Sequence, residues 1–379
     1  MASRKTAKPR WRHSMGTTDY EKDERLQWLR FVLNPSLPLP MVSDWQGLLE
    51  FAERQAIAGV CEPTRFDAVR PSADTLYEWI GLAVQLKELN GLLNRLAAKL
   101  TGRLQEAGFR CCILKGQGNA TMYPDAGLRT PGDIDVWVDA DKEDLLAYVK
   151  NLFPDEEESF KHIKFPVFRE TEVDMHYTPL KVYHPVYNRR LQAWIGEKKE
   201  QQMTHYVRLA DTPSDVAVPT ASFNAVYQMG HILIHIEDEG IGLRQMIDYY
   251  YVLRQLGGLP ETEKAEIVDT WRRLGMKKLA AAVMWVEHSL LGLPEEFLLV
   301  APCERTGRLL AADIMEGGNF GHHSSRQGYW KYGRNVKKCA DAWHLLRLSA
   351  CFPGEAFFRI ISKAGTAGRI LVKKIVKKK

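Results

Sequence analysis

Residues 110–140 read RCCILKGQGNATMYPDAGLRTPGDIDVWVDA, and the alternation near their end decides the fold. Cys111 to Leu114 is a short apolar run of the kind that forms a buried strand, and Lys115-Gly116 closes it with a turn. Gln117 to Tyr123 has room for one or two helical turns, after which Asp133 to Val138 alternates acid with apolar residues. Strand side chains point to opposite faces with a period of two, so Asp133 and Asp135 share one face and Ile134, Val136 and Val138 the other. Two neighbouring carboxylates repel each other. A hard divalent cation is the partner that stabilises them best.

Outward from that stretch, Phe160 to Phe168 and Glu172 to Tyr177 alternate in the same way and predict two strands joined at Glu170-Thr171. Glu172, Asp174 and His176 then share a face, and one of them can join Asp133 and Asp135 from a neighbouring strand. Between the strands, Asp139 and Asp141 are candidate caps for a helix through Leu146 and Val149.

Helical spacing dominates both flanks. Leu26, Leu29, Val32 and Leu33 form one stripe, Trp45, Leu48, Leu49 and Ala52 a second, and Tyr77 to Leu89 a third. Leu92, Leu93, Leu96, Leu100 and Leu104 form the apolar face of a long helix stopped by Gly108, and this helical layer is expected to support the sheet. Past Leu180 the pattern is helical again, with a break near Gly240-Ile241-Gly242 and a domain boundary expected between Lys199 and Pro219. The reading is an α+β fold: a small mixed sheet at 109–200 between an N-terminal helical region at 20–108 and a C-terminal helical domain at 201–350. Residues 1–19 are expected to be a disordered basic leader and 351–379 a basic amphipathic tail.

The chain has 379 residues, 45% of them apolar, enough for a packed core. Its longest apolar runs, such as Leu279 to Val286, fall far short of a membrane span, and no secretory signal follows the basic N-terminus, so a cytoplasmic protein is expected. The six cysteines lack Cys-x-x-Cys spacing and read as reduced packing residues. The net charge of +5 is concentrated in Arg4, Lys5, Lys8, Arg10 and Arg12 and in Lys373, Lys374, Lys377, Lys378 and Lys379. Such ends either keep a protein soluble or touch nucleic acid or an anionic membrane surface; nucleic acid is not the favoured partner, for neither a stacking aromatic motif nor a dominant basic domain accompanies them. The apolar residues of 357–379 suit either a terminal helix docked on its own domain or peripheral membrane contact.

A Gly-containing turn after a strand, a short helix and then Asp-x-Asp on a second strand resembles the nucleotidyltransferase superfamily that includes DNA polymerase beta. The wording LKG followed by YPDAGLRTPGDIDVWV is most similar to an uncharacterised bacterial branch, as are EVDMHY at 172–177, GHILIHIEDEGIGLRQMIDYYYVL at 230–253 and EGGNFGHH at 316–323. The resemblance runs from about Leu92 to His323. It implies that Asp133 and Asp135 bridge two magnesium ions, with manganese as the substitute, and that Asp174 completes the ion that activates an acceptor hydroxyl. It also implies an NTP substrate whose phosphates meet the Lys115-Gly116 turn, with Lys115 and Arg129 as clamps. Here the turn reads Gly116-Gln117 where many members have Gly-Ser, and more residues than usual separate it from Asp133.

Further candidates lie beyond the core. His231 and His235 are four apart on an expected helix but lack the His-Glu-x-x-His zinc signature, since Ile232 stands at the glutamate position. Together with His176 they are candidates for the acceptor side of the cleft, or are polar helix residues. Arg244 pairs with Asp248 along a helix or reaches substrate, and Arg129 has Asp125 and Asp133 as alternative ion-pair partners. Gly317, Gly318 and Gly321 form either a plain loop or one that closes over substrate. The expected function is a metal-dependent transfer of a nucleoside monophosphate from an NTP to a hydroxyl on a small molecule, a sugar or a macromolecule. The alternatives are a nucleotide-binding or regulatory module without turnover, and an RNA-directed transferase.

Overall fold

Strand β2 (Ile134–Val138) runs inside a four-stranded sheet ordered β1-β2-β4-β3, with β1 at Cys111–Leu114, β3 at His162–Lys164 and β4 at Val173–His176. It pairs antiparallel with β1 and parallel with β4, and β3 closes the other edge antiparallel to β4. The sheet is therefore small and mixed, as expected. The computed structural model describes residues 19–66 and 71–363, so the expected basic leader up to residue 18 and the end of the tail lie outside the described residues.

The period of two sorts the sheet's side chains into two cores. Cys111, Ile113, Ile134, Val136, Val138, Ile163, Val173 and Met175 pack on one face under α3 (Ala73–Glu106), through Leu93, Ala97, Leu100 and Leu104, and under α5 (Lys142–Leu152), through Leu145 and Val149. Cys112, Leu114 and Trp137 face the opposite core. Adjacent Cys111 and Cys112 thus separate to the two faces, and all six cysteines are free thiols.

Helix α3 runs unbroken for 34 residues, joining two stripes that read as separate segments. At the junction Asn90 turns its amide onto the Gly127 and Arg129 carbonyls, so a residue that weakens helices elsewhere anchors the turn before β2. Helices α1 (Glu24–Leu33) and α2 (Trp45–Arg54), capped by Asp23 and Asp44, share one large core with the C-terminal helices, and α2 also contacts α3. Arg30, for example, donates to the Ser289 and Leu290 carbonyls. Between α1 and the sheet, direct support is therefore left to α3.

After the five-residue α4 (Gly116–Ala120), Asp141 stands at the N-cap of α5 without a side-chain cap bond, while Asp139 pairs with Arg110 and Lys199. β3 is shorter than the expected Phe160–Phe168 strand. Helix α6 (Pro185–Thr204) leads into a hairpin, β5 (Tyr206–Arg208) and β6 (Asp215–Ala217), whose Val216 joins the sheet's core. Three-residue strands carry too little alternation to be seen beforehand. The remaining helices are α7 (Ala221–Asp238), α8 (Leu243–Leu256), α9 (Glu261–Arg273), α10 (Lys277–Ser289), α11 (Glu304–Gly317) and α12 (Arg334–Leu348), and the expected break at 240–242 separates α7 from α8.

A last helix spans 353–363 and docks on the end of α7: Arg359 pairs with Asp238, Lys363 donates to the Glu237 carbonyl, and Glu355 accepts from the Tyr183 and His184 amides. Beneath it Glu237 is buried with no hydrogen-bond partner for either carboxyl oxygen among the described residues. Burial, with Glu355 nearby, pushes its carboxyl up to about 8. The folded state thus keeps a proton that the unfolded chain releases at an ordinary glutamate pKa. Its stabilising contribution is complete below that ordinary value and is lost as pH rises toward 8, at about 1.4 kcal/mol per pH unit. Glu237→Gln is expected to flatten this part of the profile, so thermal melts of both proteins at pH 5 and pH 8 should show the wild type losing more stability than the variant.

Candidate active site

The parallel register sets Asp135 directly opposite Asp174, and the antiparallel one sets His162 opposite His176. Because these positions share a face with Asp133, five donor side chains project together from one end of the sheet. Ligand atoms of Asp133, Asp135 and Asp174 lie within 4.8 Å of one another, and so do those of His162, Asp174 and His176. Asp133 is exposed, Asp174 half-buried, and Asp135 and His176 buried.

Their electrostatics differ by neighbour. Burial alone would raise the Asp135 carboxyl, but the Lys115 ammonium at 2.7 Å and His176 Nε2 at 2.7 Å hold it well below the usual range. Asp174 lacks such help: desolvation and the charges of Asp135 and Asp133 push it up to about 6, and its Oδ1 is buried without a partner. Desolvation lowers His176 and, with the nearby His176 and Lys161, brings His162 down to about 4. Both imidazoles are neutral near pH 7. Three crowded carboxylates, one short of a partner, are a hard-oxygen set that suits a divalent cation.

Lys115 reaches this cluster because its backbone has φ 48°, a strained value for a residue with a side chain. Gly116 follows at φ 37°, and a Cβ there would stand 3.5 Å from the Asp133 carbonyl. Gln117 turns inward and donates to Asn94 and Asn90 on α3. The turn is thereby fastened to the scaffold.

Helices α7 and α8 supply the facing wall of a cleft of about 390 Å³. On α7, Lys115 Nζ donates to His231 Nε2 at 3.1 Å, and His235 lies 2.8 Å beyond. Desolvation holds both rings below the ordinary histidine value. Neither belongs to a group able to hold a metal among the described residues. On α8, Asp248 pairs with Arg129 through two 2.7 Å bonds, and Tyr123 donates to it as well. Arg129 therefore has neither Asp125 nor Asp133 as its partner, and Arg244 is left without a carboxylate partner among the described residues. Arg244 lines the cleft, donates to the Thr130 and Pro131 carbonyls and lies over the Phe320 ring at 5.1 Å.

The glycine loop after α11 forms the rim. A Cβ on Gly242 would come within 2.9 Å of the Asn319 backbone nitrogen, so α8 can start against this loop only from glycine. Phe320 also packs on His235 at 5.0 Å. Sequence reasoning missed Lys161, His162 and Phe320, all of which line the cleft. His162 could have been found by extending the shared-face argument from β4 to its hairpin partner.

A strand, a glycine turn and three convergent acids thus stand beside a cleft that also presents Lys161 and Arg244. The chain belongs to the family described as uncharacterised nucleotidyltransferases, whose model matches residues 42–292. No curated protein matches it. Among solved structures it is similar to an antigenic nucleotidyltransferase-like protein from Paracoccidioides brasiliensis, at 13% identity over 58% of this chain and 95% of that one, with a TM-score of 0.30. Among the described residues no helix is long and apolar enough to cross a membrane.

Proposed function

We propose that the protein transfers a nucleoside monophosphate from an NTP to an acceptor hydroxyl, with Asp133, Asp135 and Asp174 holding divalent cations, magnesium or manganese. The observation that carries this reading is the convergence of the three carboxylates within 4.8 Å at a cleft that also presents Lys161 and Arg244. Bound cations would neutralise charge on the entering and leaving oxygens.

The chain's own residues do the rest. The acceptor oxygen attacks the α-phosphorus, the bond to the bridging oxygen breaks, and pyrophosphate leaves with the electron pair. We assign the hydroxyl proton to Asp174, which lines the cleft beside Asp133 and Asp135. The Lys115-Gly116 turn lets the triphosphate approach the backbone closely. Arg129 is already engaged by Asp248, so Lys161 and Arg244, neither ion-paired among the described residues, are assigned the anionic tail of the substrate. His231, His235 and Phe320 line the remaining wall, where the acceptor would enter. A cytoplasmic location is part of the same proposal, since NTPs are supplied there.

The test is label transfer. Incubated with α-labelled NTPs, magnesium or manganese and cell extract, the wild type should label an acceptor, while the Asp133→Ala, Asp135→Ala double variant should not. Equal labelling by both proteins would reject the reading. Lys161→Ala and Arg244→Ala are expected to raise KM for the NTP by about tenfold each with a smaller change in kcat, as removal of a charge-assisted phosphate contact should. Steady-state kinetics with the identified acceptor checks this.

A further inference from the structure

The three-carboxylate cluster leaves part of the polar sheet face unexplained. His162 and His176 occupy opposed positions on β3 and β4, with ring centroids 5.1 Å apart, and Asp174 stands two residues before His176 on the same face. Hydrogen bonding accounts for one nitrogen of His176, whose Nε2 meets Asp135 Oδ1 at 2.7 Å, and His162 Nε2 lies 3.4 Å from Asp174 Oδ2. The other atom of each group has no such account. His162 Nδ1, His176 Nδ1 and Asp174 Oδ1 are all buried without a hydrogen-bond partner among the described residues, and His176 is only 1% exposed. A buried polar atom without a partner is costly. Three of them on three neighbouring side chains would be an expensive way to build a structural corner. Ligand atoms from the same three residues also lie within 4.8 Å of one another.

We propose that His162, Asp174 and His176 form a second cation position, adjoining the three-carboxylate one and sharing Asp174 with it, that takes a transition divalent ion such as Mn2+. The proposal deepens the metal-dependent reading above and rests on it for the neighbouring position. The chemistry of the donors decides the class of ion. Three carboxylates serve magnesium well, but imidazole nitrogen favours first-row transition ions, and a mixed set of two nitrogens and a carboxylate discriminates against magnesium. The protein would then hold two unlike positions, one of oxygen donors and one of nitrogen and oxygen.

Mn2+ binding, followed by electron paramagnetic resonance on the full chain without nucleotide, tests this independently of turnover. The wild type should bind two Mn2+ per chain and show nitrogen-14 modulation of the bound-ion echo, and Mg2+ should displace one ion far more readily than the other. In His162→Phe, at a half-buried position that tolerates an apolar ring, one ion should be lost or weakened at least about tenfold and the modulation should diminish. His176→Asn provides a second variant that still offers Asp135 a donor. Unchanged stoichiometry and modulation in both variants would overturn the proposal. So would a single wild-type Mn2+ without nitrogen modulation that disappears in Asp133→Ala, although that result would leave the carboxylate position standing. Wild-type protein that binds no Mn2+ would remove both positions together.

Discussion

Asp133→Ala is expected to abolish nucleotidyl transfer while melting like the wild type, whereas Asp135→Ala loses the reaction and stability together. The two acids share a face and a proposed role, but their surroundings separate them. Asp133 is exposed, just before β2, and no salt bridge within 4 Å involves it among the described residues. Its loss removes a cation ligand and little else. Asp135 is buried between Lys115 and His176, and its pKa lies far below normal because those two groups outweigh desolvation. Removing it leaves the Lys115 ammonium, 15% exposed, beside His231 without its counter-charge. Breaking a buried pair from one side costs about 3–5 kcal/mol, and some water access to Lys115 favours the lower end. Transfer should fall on the order of 10³-fold or more in each variant, the scale for losing a group that stabilises transition-state charge. Denaturant unfolding separates the two. If Asp133→Ala transfers label at the wild-type rate, the carboxylate site is not where the chemistry occurs.

The same contrast between exposed and buried groups marks what the sequence made legible. Alternation at 133–138 and 172–177 was enough to place both strands and to put Asp133, Asp135 and Asp174 on one face, because a period of two survives in a strand of four or five residues. It is not enough to choose among Glu172, Asp174 and His176, and the family resemblance is what points to Asp174. In the structure, the parallel register puts Asp174 beside Asp135, and Glu172 goes to Lys164 at the sheet edge. His162 lies within the expected Phe160–Phe168 strand but enters the site only through pairing with His176, which the alternation does not reveal. The β5–β6 hairpin is not legible because its three-residue strands show no period. Arg129 illustrates a different obstacle. Its near neighbours Asp125 and Asp133 were reasonable partners by spacing, but its partner is 119 residues away, and ion pairing across such distances is set by how α8 packs on the loop before β2. Arg244, four residues from Asp248 on one helix, was the local candidate for that carboxylate, but the two-pronged Arg129 took both oxygens.

That pairing yields the second large effect. Arg129→Ala would leave Asp248, 5% exposed, with the Tyr123 hydroxyl as its one hydrogen-bond donor among the described residues, and should cost about 3–5 kcal/mol of folding stability. An inactive Arg129→Ala protein would therefore say nothing about phosphate binding, since unfolding alone explains it. The informative variant replaces the whole cluster with apolar groups of similar size: Arg129→Met, Asp248→Leu and Tyr123→Phe. Exchanging a buried ion pair and its accessory donor for hydrocarbon is neutral or stabilising in many proteins, because three desolvation penalties disappear along with the attraction that offset them. Chemical denaturation should show the triple variant recovering most of the loss seen in Arg129→Ala. Its transfer activity then distinguishes the two roles of the guanidinium. Both of its Asp248-facing nitrogens are committed at 2.7 Å, and its remaining Nη1 donates to the Thr130 carbonyl, so little donor capacity is left for a nucleotide. The stable triple variant is accordingly expected to keep KM for the NTP within about threefold of wild type, well short of the roughly tenfold rise that loss of a charged phosphate contact produces. A KM tenfold higher in a protein of restored stability would return Arg129 to the phosphates and require Asp248 to release it when substrate binds.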